Sequence, residues 1–413
     1  MVRLKGFQKL TSTETALQTW LKTLQIQPQT TTIPLKDALN RVIAEDVTAK
    51  ENLPRFDKSA MDGYALKAED TTGANQFKPV TLQLTDSDVV NSKQAKQIWT
   101  GQPIPKGANA VMPLENTQQH NNGQLKIYAQ AAPNDNISKK GEDIKKGETA
   151  AKAGTRLTPC HLGLLTAIGN TTVKVTEKPK IAIIATGNEL VEAGTQPAEN
   201  QINEANKITI SAMTRQLDAE PIDLGITKDD TAAITEKIRT ALAKADAVIT
   251  TGGTSVGGLD LVPDAVNKAG KLGVIIHGVA LRPAMPTALA AINGKPVIIL
   301  SGNPVAAVIG FEVFARPLIC KMLSMPQTEP RPTVQAVITR RTASALGRKT
   351  FIRVKVTQTN NEYHAEPVSA RGSGTITTMT HANGFVIVPE NREGIPQGET
   401  VTVHLFSNVE TVN

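Results

Sequence analysis

The chain has 413 residues, of which 40% are apolar, 20% charged and only 3% aromatic, and its net charge is +7. At about 100–200 residues per domain that length predicts several cores, and so few aromatic rings argue against stacking on single-stranded nucleic acid. The basic residues are scattered, the densest groups being Lys139-Lys140, Lys145-Lys146 and Arg340-Arg341, so a small polyanion is expected as ligand and no nucleic acid.

In chain order, Thr11 to Leu24 predicts a helix, with Thr11 and Glu14 as a capping box and Leu17, Trp20, Leu21 and Leu24 on one face. A second short helix is expected over Leu35 to Ile43. The stretch Pro54 to Ala65, PRFDKSAMDGYA, crowds Asp57, Ser59 and Asp62 around a glycine, either as a site or as a turn held by Asx-type caps. Short strands follow over Pro79 to Leu84, Gln97 to Thr100 and Leu125 to Tyr128, and TGQPIP from Thr100 reads as a strand end feeding a rigid turn. Lys139 to Ile144, KKGEDI, places Asp143 in a glycine turn that by itself is an ordinary solvated loop. Gly154 to Gly169 returns to a helix around Leu162, Leu165 and Ile168.

From Lys180 to Met325 strands alternate with helices, the pattern of a parallel sheet with crossovers. Ile181 to Ala185 ends in Thr186-Gly187-Asn188-Glu189, putting a carboxylate past a strand's carboxyl end, where open α/β sheets hold ligands. Asp229-Asp230 follows the strand Ile222 to Ile226; Asp230 is expected to cap the next helix, leaving Asp229 facing the crevice. Ala247 to Thr250 leads into TTGGTSVGGLD, where Gly252, Gly253 and Gly257 allow backbone N–H groups to approach an anion and Thr254 and Ser255 add hydroxyls. Asp260 then suggests a divalent cation between carboxylate and phosphate, the alternative being a glycine-rich turn with no ligand. His277 to Leu281 reads as a strand before Arg282-Pro283-Ala284-Met285-Pro286. Pro296 to Leu300 runs into Ser301, Gly302, Asn303 and Pro304, with the proline opening a helix whose N–H groups point outward as an anion site. Beyond Pro332 the alternation of Thr333 to Thr339, Phe351 to Val356, Phe385 to Val388 and Thr400 to Leu405 predicts a small all-β domain.

Cys160 and Cys320 form no CxxC pair, which suits a reduced compartment. The N-terminal stretch has no signal-peptide core, and no run of about 18 apolar residues is present to span a bilayer. A cytoplasmic protein without a membrane partner is therefore expected.

Taken together, FDKSAMDGYA at Phe56, TGQPIP at Thr100, GEDI at Gly141, ATGNEL at Ala185, TGGTSVGGLD at Thr251 and SGNPV at Ser301 resemble the molybdopterin molybdotransferases, the MoeA and gephyrin E-domain family. The resemblance implies a multidomain α/β and β protein: a helical and linker region over 1–52 plus 134–178, a β-rich insertion over 53–133, an α/β molybdopterin-binding domain over 179–327, and a C-terminal β-barrel over 328–413. It implies a homodimer that inserts molybdenum from molybdate into adenylylated molybdopterin with release of AMP and a requirement for Mg2+. A pterin-adenylylating enzyme and molybdoenzyme apoproteins or chaperones are the implied partners. The matching polar residues are Asp57, Ser59, Asp62, Thr100, Asp143, Glu189, Asp229 and Asp260, with Arg348 and Ser373 matching more loosely. Glu189, Asp229 and Asp260 are the candidate metal ligands, and Arg282 the candidate partner of an oxyanion or a phosphate. The chain departs from the family pattern where Lys-Pro-Gly-Lys-Pro is usual, with Arg282 in place of the first lysine and Met285 in place of the second; Asn188 also replaces a common acidic residue, and Ser301 replaces a proline. Those departures leave open a non-catalytic pterin carrier or scaffold, a tungstate-using paralogue, or an adenylylating enzyme.

Overall fold

The computed structural model describes residues 10–253, 261–326, 331–368 and 372–411. Contacts divide the chain into two compact units, Thr32–Val175 and the remainder.

The first helix, α1 (Thr13–Lys22), belongs to the larger unit. Its cap is Ser12, whose side chain accepts the Thr15 amide at 3.3 Å, rather than the Thr11–Glu14 box expected from sequence. Trp20 is fully buried and its indole N–H donates to the Ala290 carbonyl at 2.7 Å, so the stripe anchors on the sheet of its own unit. A buried indole needs such a partner.

Within Thr32–Val175, the helix expected over Leu35 to Ile43 is only a single turn, Leu35–Asp37. Asn40 takes a positive φ of 65°, and Val42 and Ile43 instead bridge Arg156 and Val175 as extended chain. Tertiary pairing overrides the apolar spacing there. Leu35, Ala38 and Ile43 pack with Leu157, Leu165 and Val175 around helix α2 (Pro159–Ala167), which begins with a capping box between Thr158 and His161. A six-stranded sheet follows the expected β-rich stretch: β1 (Gly63–Leu66), β2 (Val80–Leu84), β3 (Gln94–Ile98), β4 (Ala110–Pro113), β5 (Thr117–Gln119) and β6 (Gln124–Ile127), in the order β4-β1-β3-β2-β6-β5. Because β3 stops at Ile98, Thr100 sits in the turn beyond it.

The larger unit holds an α/β layer and a barrel. Its sheet comprises β7 (Lys180–Thr186), β8 (Glu220–Thr227), β9 (Ala247–Thr251), β10 (Leu272–His277), β11 (Ala288–Ile292) and β12 (Lys295–Leu300), ordered β8-β7-β9-β12-β11-β10. The first four in that order are parallel, whereas β11 pairs antiparallel with both neighbours. Helices α3 (Asn206–Gln216), α4 (Thr231–Lys244) and α5 (Leu261–Ala269) follow the strands, and Ile234, Ile238, Val262 and Val266 fill the core against Ile184, Val248 and Ile299. The strand expected over His277 to Leu281 is instead two, β10 and the short pair Leu281–Arg282.

Helix α6 (Pro304–Gly310) leaves the sheet after β12. Five strands then close on themselves: β13 (Thr333–Ile338), β14 (Lys349–Thr359), β15 (Glu362–Pro367), β16 (Gly384–Val388) and β17 (Thr400–Leu405) pair in the ring β13-β17-β16-β14-β15-β13. Closure leaves a dry interior of Ala336, Ile352, Val354, Val386 and Val403 and few free strand edges. The expected all-β ending is thus a barrel. Leu281–Arg282 joins it in parallel, Arg282 opposite Thr350 of β14, so the α/β layer hands one strand to the barrel.

Candidate active site

The parallel strands end together at a crevice. Thr186 and Thr227 are register partners at the ends of β7 and β8, and the glycine turn follows β9 next door. Gly252 and Gly253 have φ of 97° and 66°, and a Cβ would strike the Thr186 carbonyl oxygen at the first and the Val262 side chain at the second. Glycine is therefore required at Gly252 by a neighbouring backbone and at Gly253 by a side chain, a packing reason that differs from the anion approach expected from sequence. Gly252 N–H donates to the Leu300 carbonyl at 3.0 Å, and Gly302 abuts Gly252, so the turns after β9 and β12 form one surface. Thr254, Ser255, Gly257 and Asp260 lie outside the described residues.

Two carboxylates stand at the neighbouring strand ends. Glu189 is exposed just past β7. Asp229, half-buried just past β8, accepts the Asn188 amide at 3.2 Å while Asn188 Oδ1 accepts the Asp229 amide at 3.1 Å. Asp230 caps α4 by accepting the Ala233 amide at 2.7 Å, which is the division of labour expected for the aspartate pair. The buried hydroxyls of Thr227 and Thr250 have no partner among the described residues. Among the described residues no group of three or more His, Cys, Asp or Glu is placed to hold a metal. Glu189 and Asp229 are nevertheless hard oxygen donors on adjacent strand ends, a set that suits Mg2+, which binds one or two carboxylates and keeps several waters.

The SGNP turn leads from this crevice into a cavity of about 600 Å3 between the α/β layer and the barrel. Ser301 and Asn303 line it with Arg282, Arg348 and Ser373, so five of the expected site residues converge. Gly302 and Pro304 shape the turn: Asn206 Nδ2 donates to the Gly302 carbonyl at 2.8 Å, and Pro304 opens α6. The α6 amides are not all free as expected, since Val305 N–H donates to the Ser373 carbonyl at 3.0 Å and thereby ties Ser373 to the turn. Arg340, Arg341 and Arg353 also line the cavity, and among its described lining residues there is no aspartate or glutamate. Five guanidinium groups without a lining carboxylate make a site for anions. Met285 contributes an uncharged wall. The sequence offered one signal for the barrel arginines, the Arg340-Arg341 dipeptide, and none for Arg353.

The remaining expected residues lie in the unit Thr32–Val175, where the segments carrying FDKSAMDGYA, TGQPIP and KKGEDI meet: Ser59 pairs with Ile137, and Ser59 N–H donates to the Gln102 carbonyl at 2.9 Å. Asp62 accepts both the amide and the hydroxyl of Thr100, at 2.8 and 2.7 Å, and those bonds hold its carboxyl below the usual range. Asp57 is held down by the Lys140 amide at 2.8 Å and then by the Lys139 ammonium at 3.0 Å. Ser59 is buried and donates to the Met61 carbonyl at 2.6 Å, and Asp143 is exposed.

Three family models match consecutive stretches of the chain: "MoeA N-terminal region (domain I and II)" over 11–169, "Probable molybdopterin binding domain" over 182–321, and "MoeA C-terminal region (domain IV)" over 335–406. The molybdopterin molybdenumtransferase of Bacillus subtilis is 36% identical over 393 residues, covering 92% of this chain and 91% of that one. A molybdopterin biosynthesis protein of Methanocaldococcus jannaschii is 37% identical, covering 91% and 92%. The crystal structure of a molybdopterin biosynthesis MoeA protein from Pyrococcus horikoshii superposes with a TM-score of 0.82 at 31% identity, covering 96% of this chain and 100% of that one.

Proposed function

The chain belongs to the MoeA family of molybdopterin molybdenumtransferases, and from that premise we propose that it inserts molybdenum from molybdate into adenylylated molybdopterin, releasing AMP in a magnesium-dependent step of molybdenum-cofactor biosynthesis. The observation that carries this reading is the cavity of about 600 Å3 with five arginines and no lining carboxylate among the described residues, opening beside the glycine turns. A tetrahedral dianion gains most from such a wall, because guanidinium presents paired donors to two oxygens at once. Arg282 and Arg348 hold the oxyanion, with Ser301 and Ser373 hydroxyls completing its bonds, while the strand-end turns grip phosphate through amides other than those of Gly252, Asn303 and Val305, which are bonded within the protein. Size supports the same division, since this volume falls among the pockets of about 300–1,000 Å3 that hold organic ligands.

Glu189 and Asp229, with Asp260, would hold Mg2+; bound there, the ion would neutralise phosphoryl oxygens and stabilise departing AMP. The Asn188–Asp229 exchange of hydrogen bonds orients the Asp229 carboxylate, so asparagine keeps a task at a position where the resemblance leads one to expect an acid. Met285 removes a cation from the wall, but Arg340, Arg341 and Arg353 keep that wall strongly positive, which favours capture of an oxyanion over the carrier reading. The protein is further proposed to work as a homodimer, receiving its pterin from an adenylylating enzyme and passing the product to apoproteins or chaperones.

The test is direct. Purified protein given adenylylated molybdopterin, Mg2+ and molybdate should release AMP and yield cofactor that reconstitutes a molybdoenzyme. Pterin binding with the nucleotide left intact would instead favour the carrier.

A further inference from the structure

Resting on the oxyanion reading of the cavity, we propose that Arg353 is a further anion-binding residue there, holding a tetrahedral dianion from the barrel wall. Arg353 lies on β14 between Ile352 and Val354, both of which face the barrel interior. Arg353 is not a member of that apolar cluster and lines the cavity together with Thr350, Phe351 and Ile352. It is not an ordinary surface arginine. Its Nε is buried and has no hydrogen-bond partner among the described residues, and burial pushes the guanidinium pKa down.

Other arginines of the same unit show what a structural guanidinium looks like in this fold. Arg392 makes a two-pronged pair with Glu399 at 2.8 and 2.7 Å, Arg331 donates to Glu312 at 2.5 Å, and Arg340 donates to the Pro367 carbonyl. Arg353 has no such partner among the described residues, and an uncompensated cation in a partly dry wall lowers the stability of the empty protein. A bound dianion removes that penalty, and the planar fork of Arg353 matches two of its oxygens. The volume leaves room for a tetrahedral group at Arg353 beside the one assigned to Arg282 and Arg348. That group is either a metal oxyanion or the phosphate of the organic substrate, which share charge and geometry.

The experiment compares wild type with Arg353→Met and Arg353→Lys, following thermal midpoints and calorimetric titrations with tungstate and, separately, with AMP as a phosphomonoester. Empty Arg353→Met should melt no lower than wild type, and its affinity for one of the two anions should fall at least tenfold. Arg353→Lys, which keeps the charge but loses the fork, should fall between. A loss confined to tungstate assigns the oxyanion, and a loss confined to AMP assigns the phosphate ester. Wild type that binds tungstate or AMP, with both variants binding each within twofold as well, overturns the role of Arg353 while leaving the cavity reading intact. Wild type that binds neither anion overturns both.

Discussion

The two clusters of polar side chains differ in how their charge is answered. In the unit Thr32–Val175, Asp57 and Asp62 are each bonded to a segment distant in sequence, Asp57 to Lys139 and Lys140 and Asp62 to Thr100. Both clusters draw on stretches of sequence rich in polar motifs, and the second, in the cavity beside the barrel, gathers arginines with no carboxylate among the described lining residues. A motif's hydrogen bonds can be spent on holding loops together, whereas buried or clustered charge left without a partner marks where binding energy is available.

This contrast is open to test by substitution. The largest effect is expected at the strand-end carboxylates: Asp229→Ala should lower magnesium-dependent AMP release by about 100- to 1,000-fold, with tungstate affinity within twofold of wild type. Unchanged turnover would remove Asp229 from the reaction. Next, Arg348→Gln should weaken tungstate binding by about 10- to 100-fold, the worth of a charged hydrogen bond of about 1.5–3 kcal/mol, without lowering the melting temperature. Trp20→Ala should act on stability alone, since it empties a fully buried site and breaks the bond to Ala290; about 3–5 kcal/mol should be lost in denaturant unfolding of the larger unit, with no change in tungstate affinity.

The smallest effect belongs to the satisfied loops. Both Asp57 and Asp62 have carboxyls held below the usual range, Asp57 chiefly by the Lys140 amide and Asp62 by the Thr100 amide. Because their folded values are depressed, their contribution to stability is present above the ordinary carboxylate range and is lost as pH falls through the lowered folded value. Asp62→Asn should therefore shift the melting temperature by only about 1–2 °C near neutral pH, and flatten its decline below about pH 4. Tungstate affinity should not change. A loss of affinity in this variant would erase the distinction between the two clusters.

Much of the architecture can be read from the chain because local chemistry and fold agree there. The alternation after Lys180 and the capping role of Asp230 follow from short-range patterns. The misread elements are those decided at a distance. Leu35 to Ile43 has helical apolar spacing but is pulled into extended pairing with Arg156 and Val175. The antiparallel strand β11 carried an unused signal: Asn293-Gly294, both at positive φ of 51° and 80°, is the turn that joins it to β12 as a hairpin. Arg282, Ser301 and Asn303, expected from their motifs, and Arg348 and Ser373, expected from looser matches, all line one cavity, whereas Arg353 had no such expectation. The pairing of Leu281–Arg282 with β14, distant in sequence, sets that strand beside the cavity, and no local spacing encodes that pairing.

The central claim is that the arginine-lined cavity captures a tetrahedral oxyanion. It is tested most directly by calorimetric titration of tungstate into the wild-type protein and an Arg282→Gln/Arg348→Gln double variant that retains the wild-type circular dichroism spectrum. The account predicts saturable binding to the wild type that weakens by at least tenfold in the double variant. Equal affinity in the two proteins, or no binding by the wild type, would contradict it.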